Sequence, residues 1–235
     1  MISDLAIEPL VKGGIPQLLQ KRDVKKIVIV HMTTDRGLCG GLNTNLNRLV
    51  GKFILEQSIP VALITVGRKG RAFARSTGLN IEAEFTGISD RATLRETLPI
   101  SRVVMDDYSK GDVGLVYLAY PRFISTMLQK PTMEVLLPIE PGKLPAGQIG
   151  EYIYEPNPLD VLNELLPRVV EMQVYHAILE LIASEQSARM VAMRNASDNA
   201  KEMIKDLTLI LNKVRQETVT KEICDISGGV ETLAI

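Results

Sequence analysis

From Leu159 to Ser227 the chain offers almost nothing that would end a helix. Past Pro167 there is no proline to the end, and no glycine before Gly228. That leaves roughly 60 residues without a breaker, several times the usual ~11–12 of a globular helix. At ~1.5 Å rise per residue such a helix would be roughly 90 Å long, more than a domain of this size covers. Its second half repeats apolar and small residues by threes and fours: Met193, Ala196, Ala200, Met203, Leu207, Ile210 and Val214. That spacing is the a/d seam of a coiled coil, which buries its stripe against a partner helix. Ala183, Ser184, Ser187, Ala188 and Ala192 crowd the stretch before it, and small side chains let a neighbouring helix come close.

The remaining residues are enough for one ordinary domain. Hydrophobic residues are 46% of the 235 and charged residues 23%, which is a globular composition. Net charge is −1, so no bulk attraction to nucleic acid or to an anionic membrane follows. Aromatics are 4% with no Trp, which argues against a base-stacking platform. Cys39 and Cys224 lie far apart and make no metal-like spacing, so a reduced cytosolic compartment is expected. MISDLAIEPL carries acidic residues and no long apolar core, unlike a signal peptide. No apolar run approaches the ~20 residues of a membrane span.

Strand and helix patterns alternate ahead of the long run. Residues 1–26 read as a lead-in, with a helix around Ile15–Arg22. Ile27 to Met32 is a β-branched apolar run that suits a strand buried on both faces. DRGLCGG follows as a Gly-rich turn, then an amphipathic helix over Leu42–Glu56, then a second buried strand over Val61–Val66. Gly67-Arg68-Lys69-Gly70 opens a short helix ending at Gly78, and Ile81–Phe85 is a third strand. Arg91–Tyr108 reads as a helix interrupted by Pro99, Val113–Tyr120 as a fourth strand, and Thr132–Leu137 and Glu151–Tyr154 as further strands. Pro138–Gly150 is a Pro/Gly loop, and Asn157 or Asp160 caps the long helix near Pro158. The expected fold is α/β: a Rossmann-like, mostly parallel sheet over 27–156, then a very long C-terminal helix over 157–235.

Three sets of residues have the makings of chemistry. The glycines of Asp35-Arg36-Gly37-Leu38-Cys39-Gly40-Gly41 stand where a dinucleotide fold holds phosphate, and Arg68 and Lys69 suit a 2′-phosphate. Their spacing is not G-x-G-x-x-G, and no acidic residue follows the second strand; a structural turn or protein-contact loop is the alternative. Asp35, Asp106 and Asp107 have no His or Cys at ligand spacing, and the adjacent pair points to different helix faces, which suits a solvated surface. Cys39 with His31 could make a nucleophile and base, or a small apolar filler beside a buried strand end. His176 falls on the long helix as a packed or half-exposed position. On these residues alone, a nucleotide-binding oxidoreductase using the turn at 36–41, with the helix as a dimer arm, is the rival to a mechanical role. A plain coiled-coil scaffold is a third reading.

Three stretches carry a family resemblance. DRGLCGGLNTN after the first strand, and SEQSARMVAMRNASDNAKEMIKDLTLILNKVRQETVTKEICDISGGVETL at the end, resemble the gamma subunit of F-type ATP synthase. YEPNPLDVLNELLPRVVEMQVYHAILE, which joins domain to helix, is also similar. The resemblance covers nearly the whole chain from about Lys25. It implies a rotary central stalk without an active site or cofactor. Its α/β foot would rest on the c-ring and epsilon subunit, and its shaft would reach through the ring of alpha and beta subunits. Rotation of the shaft would force the three catalytic beta subunits through different conformations. It implies that Arg215 and Gln216 touch the beta subunits, and that Tyr152, Tyr154 and Glu155 face the c-ring and epsilon. It implies peripheral attachment to the cytoplasmic side of a bacterial plasma membrane, coupled to proton transport. Family members begin with a long helix antiparallel to the C-terminal one. Here only a short lead-in precedes the first strand, so the seam is expected to lack a partner within the chain and to self-associate. The redox cysteine pair of the chloroplast type is not apparent.

Overall fold

The computed structural model describes residues 16–139 and 157–233. A single 3-10 turn, Gln17–Leu19, stands where the sequence suggests a helix over Ile15–Arg22. After it come β1 (Ile27–Met32), α1 (Leu42–Glu56), β2 (Val61–Val66), α2 (Arg68–Ser76) and β3 (Asn80–Phe85). Then follow α3 (Leu94–Lys110), β4 (Leu115–Ser125), β5 (Leu128–Leu137) and α4 (Pro158–Leu233).

The sheet order is β3-β2-β1-β4-β5. β1 lies parallel between β2 and β4, β2 is parallel to β3, and β5 runs antiparallel to β4. All six β1 residues are buried, because helices cover both of its faces. On one face Val28, Val30 and Met32 join Ile100, Val104 and Tyr108 of α3 and Leu166, Val170 and Val174 of α4. On the other, Ile27, Ile29 and Leu63 pack with Leu46 and Val50 of α1 and Ala74 of α2.

Several expectations shift. β4 and β5 are longer than the predicted Val113–Tyr120 and Thr132–Leu137, and they form one hairpin. β4 pairs with β1 as far as Ala119; beyond that its strand partner among the described residues is β5 alone, so Pro121 opposite Pro131 breaks no central ladder. Pro99 does not interrupt α3, which runs from a Thr93–Glu96 capping box to Lys110. Pro99 is exposed, so the carbonyl it frees faces water. Asn157, not Asp160, is the cap of α4: its Oδ1 accepts the Asp160 N–H at 2.9 Å. The strand predicted at Glu151–Tyr154 lies outside the described residues.

The chain divides into two compact units, Met1–Arg189 and Met190–Ile235. In the first, α4 buries Leu162, Leu166, Val170, Val174, Ala177, Ile178 and Leu181, a stripe spaced by threes and fours. In the second, α4 continues with every residue from Met193 to Ser227 exposed.

Candidate partner-contact surfaces

In the second unit, the predicted seam is a row of open apolar side chains. Met193 is 49% exposed, Met203 65%, Leu207 58%, Ile210 58% and Val214 52%, with Ala196 and Ala200 also exposed. Ile204 and Leu211 widen the row. A continuous exposed apolar helix face of this length is a candidate contact surface. Arg215 and Gln216 follow it, both exposed. Tyr152, Tyr154 and Glu155 lie outside the described residues.

In the first unit, the Gly-rich turn after β1 is fixed from within. Leu38 takes φ +62° and Gly40 φ +59°, which lets the chain reverse before α1. Asn43 Oδ1 accepts the Thr34 N–H at 3.2 Å, and its Nδ2 donates to Thr34 Oγ1 at 2.8 Å and to Cys39 Sγ at 3.3 Å. Asp35 accepts the backbone N–H groups of Arg68, at 2.9 Å, and Gly87, at 2.8 Å. These bonds hold the loops after β1, β2 and β3 together. Leu38 stays 74% exposed at the tip, as a contact loop would present it. Cys39 is buried, in keeping with a small filler.

A crevice of ≈ 520 Å³ opens beside these loops, walled by Ile88, Ile178 and Ile182. Arg36, Arg68 and Arg91 line it, matched in number by Asp35, Asp90 and Glu185. Arg36 pairs with Asp90 at 3.7 Å, and Arg68 lies 4.0 Å from Asp35. The charges are therefore largely balanced inside the protein. The crevice shows no excess positive potential that would single out a nucleotide phosphate.

His31 is buried in β1 between α1 and α2. Its ring meets Phe73 edge-on at 5.9 Å. Both ring nitrogens, Asn47 Oδ1 and Thr65 Oγ1 are buried without a hydrogen-bond partner among the described residues. Burial lowers the His31 pKa from 6.5 to about 4, and the nearby Asn47 amide offsets part of that shift. Neither ring nitrogen bonds to Cys39, whose Sγ meets Asn43 and Thr34 instead, so the described residues form no nucleophile–base pair here. His176 is exposed on α4, beside the Tyr120–Arg122–Glu134 cluster. Asp107 pairs with Lys110 at 3.0 Å on the surface of α3. Among the described residues, no helix is long and apolar enough to cross a membrane.

One set of contacts gave no clear sign in the sequence. Ser184 and Ser187 bond to backbone carbonyls of the β4–β5 hairpin, and Arg189 to the carbonyl of Gly37. Read as a sequence, the serines are small residues awaiting a partner helix.

The comparisons with known proteins agree with one another. A family model described as ATP synthase matches residues 3–233. The chain is 56% identical over 234 residues to an ATP synthase gamma chain of Dehalococcoides mccartyi, covering 100% of this chain and 82% of that one. It is 46% identical over 221 residues to an ATP synthase gamma chain of a Roseiflexus species, covering 92% and 76%. Its fold resembles a chain in the cryo-EM structure of the Euglena gracilis mitochondrial ATP synthase (OSCP, F1 and c-ring), with TM-score 0.66 at 19% identity and coverage of 98% and 85%. It also resembles a chain of the Tetrahymena thermophila mitochondrial ATP synthase central stalk and c-ring, with TM-score 0.64 at 22% identity and coverage of 83% and 84%.

Proposed function

The chain belongs to the family of the ATP synthase gamma chain, a non-catalytic subunit, and from that premise we propose that it carries rotation from a membrane c-ring to catalytic beta subunits. The observation that carries this reading is the open apolar row from Met193 to Val214. It lies on one continuous helix, α4, that also serves as a core element of the sheet domain. A helix rooted in a folded body and apolar beyond it is built to be gripped. The division of labour is a foot made of the sheet domain over 27–156 with the first part of α4 packed on it, and a shaft made of the rest of the helix that begins at 157.

The alpha and beta subunits of the head surround the shaft. Arg215 and Gln216 meet the beta subunits, where a guanidinium can make bidentate contacts to carboxylates. Tyr152, Tyr154 and Glu155 meet the c-ring and the epsilon subunit. Each beta subunit is driven by differential contact: a turn of the shaft favours one of its conformations over another. The chain itself needs no cofactor for this, and it is held at the cytoplasmic face of a bacterial plasma membrane through its partners. The test is reconstitution of membrane vesicles containing the c-ring and head, with and without this chain. ATP-driven proton uptake that depends on the chain supports the reading. Uptake that proceeds equally without it, or a chain that does not bind the head, counts against it.

A further inference from the structure

We propose that Ser184, Ser187 and Arg189 form a two-sided clamp that stops α4 from turning about its own axis against the sheet domain. The inference rests on the shaft reading above and names the device that would make foot and shaft turn as one.

The apolar stripe of α4 in the first unit ends at Leu181. In the next two turns the buried positions are polar: Ser184 is 0% exposed, Glu185 8% and Ser187 9%. Buried polar groups are costly unless they are bonded, and these are. Ser184 Oγ donates to Pro121 O at 3.0 Å, and Ser187 Oγ donates to Thr126 O at 3.0 Å. Glu180 on the same flank accepts the Phe123 N–H at 3.2 Å. One flank of α4 is thus stapled to the backbone of the β4–β5 hairpin. Arg189 lies two residues beyond Ser187, about 200° further round the helix. Its guanidinium donates to Gly37 O at 3.4 Å and pairs with Glu185. The Arg189–Glu185 side chains, 22% and 10% exposed, make a well-shielded ion pair. The opposite flank is thus tied to the turn after β1, which Asn43 and Asp35 already fix.

Apolar packing holds α4 through the shapes of interlocked side chains, and hydrogen bonds to fixed carbonyls add a directional restraint against rotation. The directional contacts therefore stand at the last turns of α4 in this unit, where torque would be handed on. Ser184, Ser187 and Arg189 act as positioning residues.

The test uses the assembled complex with its head fixed to a surface and a bead on the foot. In the catalytic dwell, the width of the bead's angular fluctuation reports torsional stiffness. The variant Ser184→Ala/Ser187→Ala/Arg189→Met is expected to widen that distribution several-fold, with Arg189→Lys close to wild type. Ser187→Ala/Arg189→Met, which keeps the fully buried Ser184, gives the readout if the triple variant does not assemble. Unchanged width in a variant that rotates overturns the clamp while leaving the shaft reading intact. A wild-type complex that does not rotate sinks the shaft reading itself.

Discussion

Thr33 and Gly70 are joined by a 2.7 Å hydrogen bond in which the Gly70 N–H donates to Thr33 Oγ1, at a place where a Cβ on Gly70 would lie 2.8 Å from that oxygen. The same hydroxyl donates to Val66 O at 2.9 Å. One threonine thus ties the end of β1 to the end of β2 and the first turn of α2. Gly67 is tighter still: at φ +91° its Cβ would fall 2.1 Å from Thr33 O. Gly70→Ala should cost about 2–3 kcal/mol of folding stability, as overpacking with loss of a buried bond does. Gly67→Ala should cost more, because backbone must move as well. Urea denaturation of both variants measures this; wild-type midpoints would remove the close approach from the account.

His31 makes stability depend on pH. Its pKa is about 4 in the folded protein against 6.5 unfolded, so on acidification the unfolded chain takes up the proton first. The stabilisation is full above pH 6.5 and is lost as pH falls toward 4. The loss sums to about 3 kcal/mol across that window. In His31→Leu the slope of stability between those limits should flatten. An equally steep slope in the variant would assign the effect to other groups.

The open row on α4 sets the behaviour of the chain on its own. Without partners it should self-associate through Leu207 and Ile210 at micromolar concentration, because a seam of about three heptads seeks cover. Leu207→Glu/Ile210→Glu should shift sedimentation toward the monomer. A wild-type chain that sediments as a monomer at all concentrations speaks against the row as a contact face.

Under the proposed contact with the beta subunits, changes at Arg215 and Gln216 distinguish a working shaft from a passive scaffold. In a reconstituted complex, Arg215→Glu with Gln216→Ala should lower coupled ATP turnover about tenfold, the effect of about 1.4 kcal/mol at the barrier. A passive scaffold would tolerate the change with turnover unaltered.

Much of the fold could be read from residues. β1, α1 and β2 fall at their predicted limits because apolar runs there are bounded by strong punctuation, Pro60 and Gly67 among it. The long helix is legible as an absence of breakers, and the exposed apolar row along it as a period. The hairpin was not, since its turn at Ser125–Leu128 has no glycine and its arms hold Pro121 and Pro131. The uninterrupted α3 was missed because exposure at Pro99, rather than proline itself, decides the cost. The clamp stayed hidden because Ser184 and Ser187 bond to backbone about 60 residues away in sequence. Side-chain spacing carries no mark of such a partner.

The most direct measurement places a bead on the foot through Leu55→Cys, a position 88% exposed, in a Cys224→Ser background. With the head fixed and ATP supplied, the account predicts stepwise rotation of the bead in one direction. Steady ATP hydrolysis with a bead that only jitters in place would contradict it.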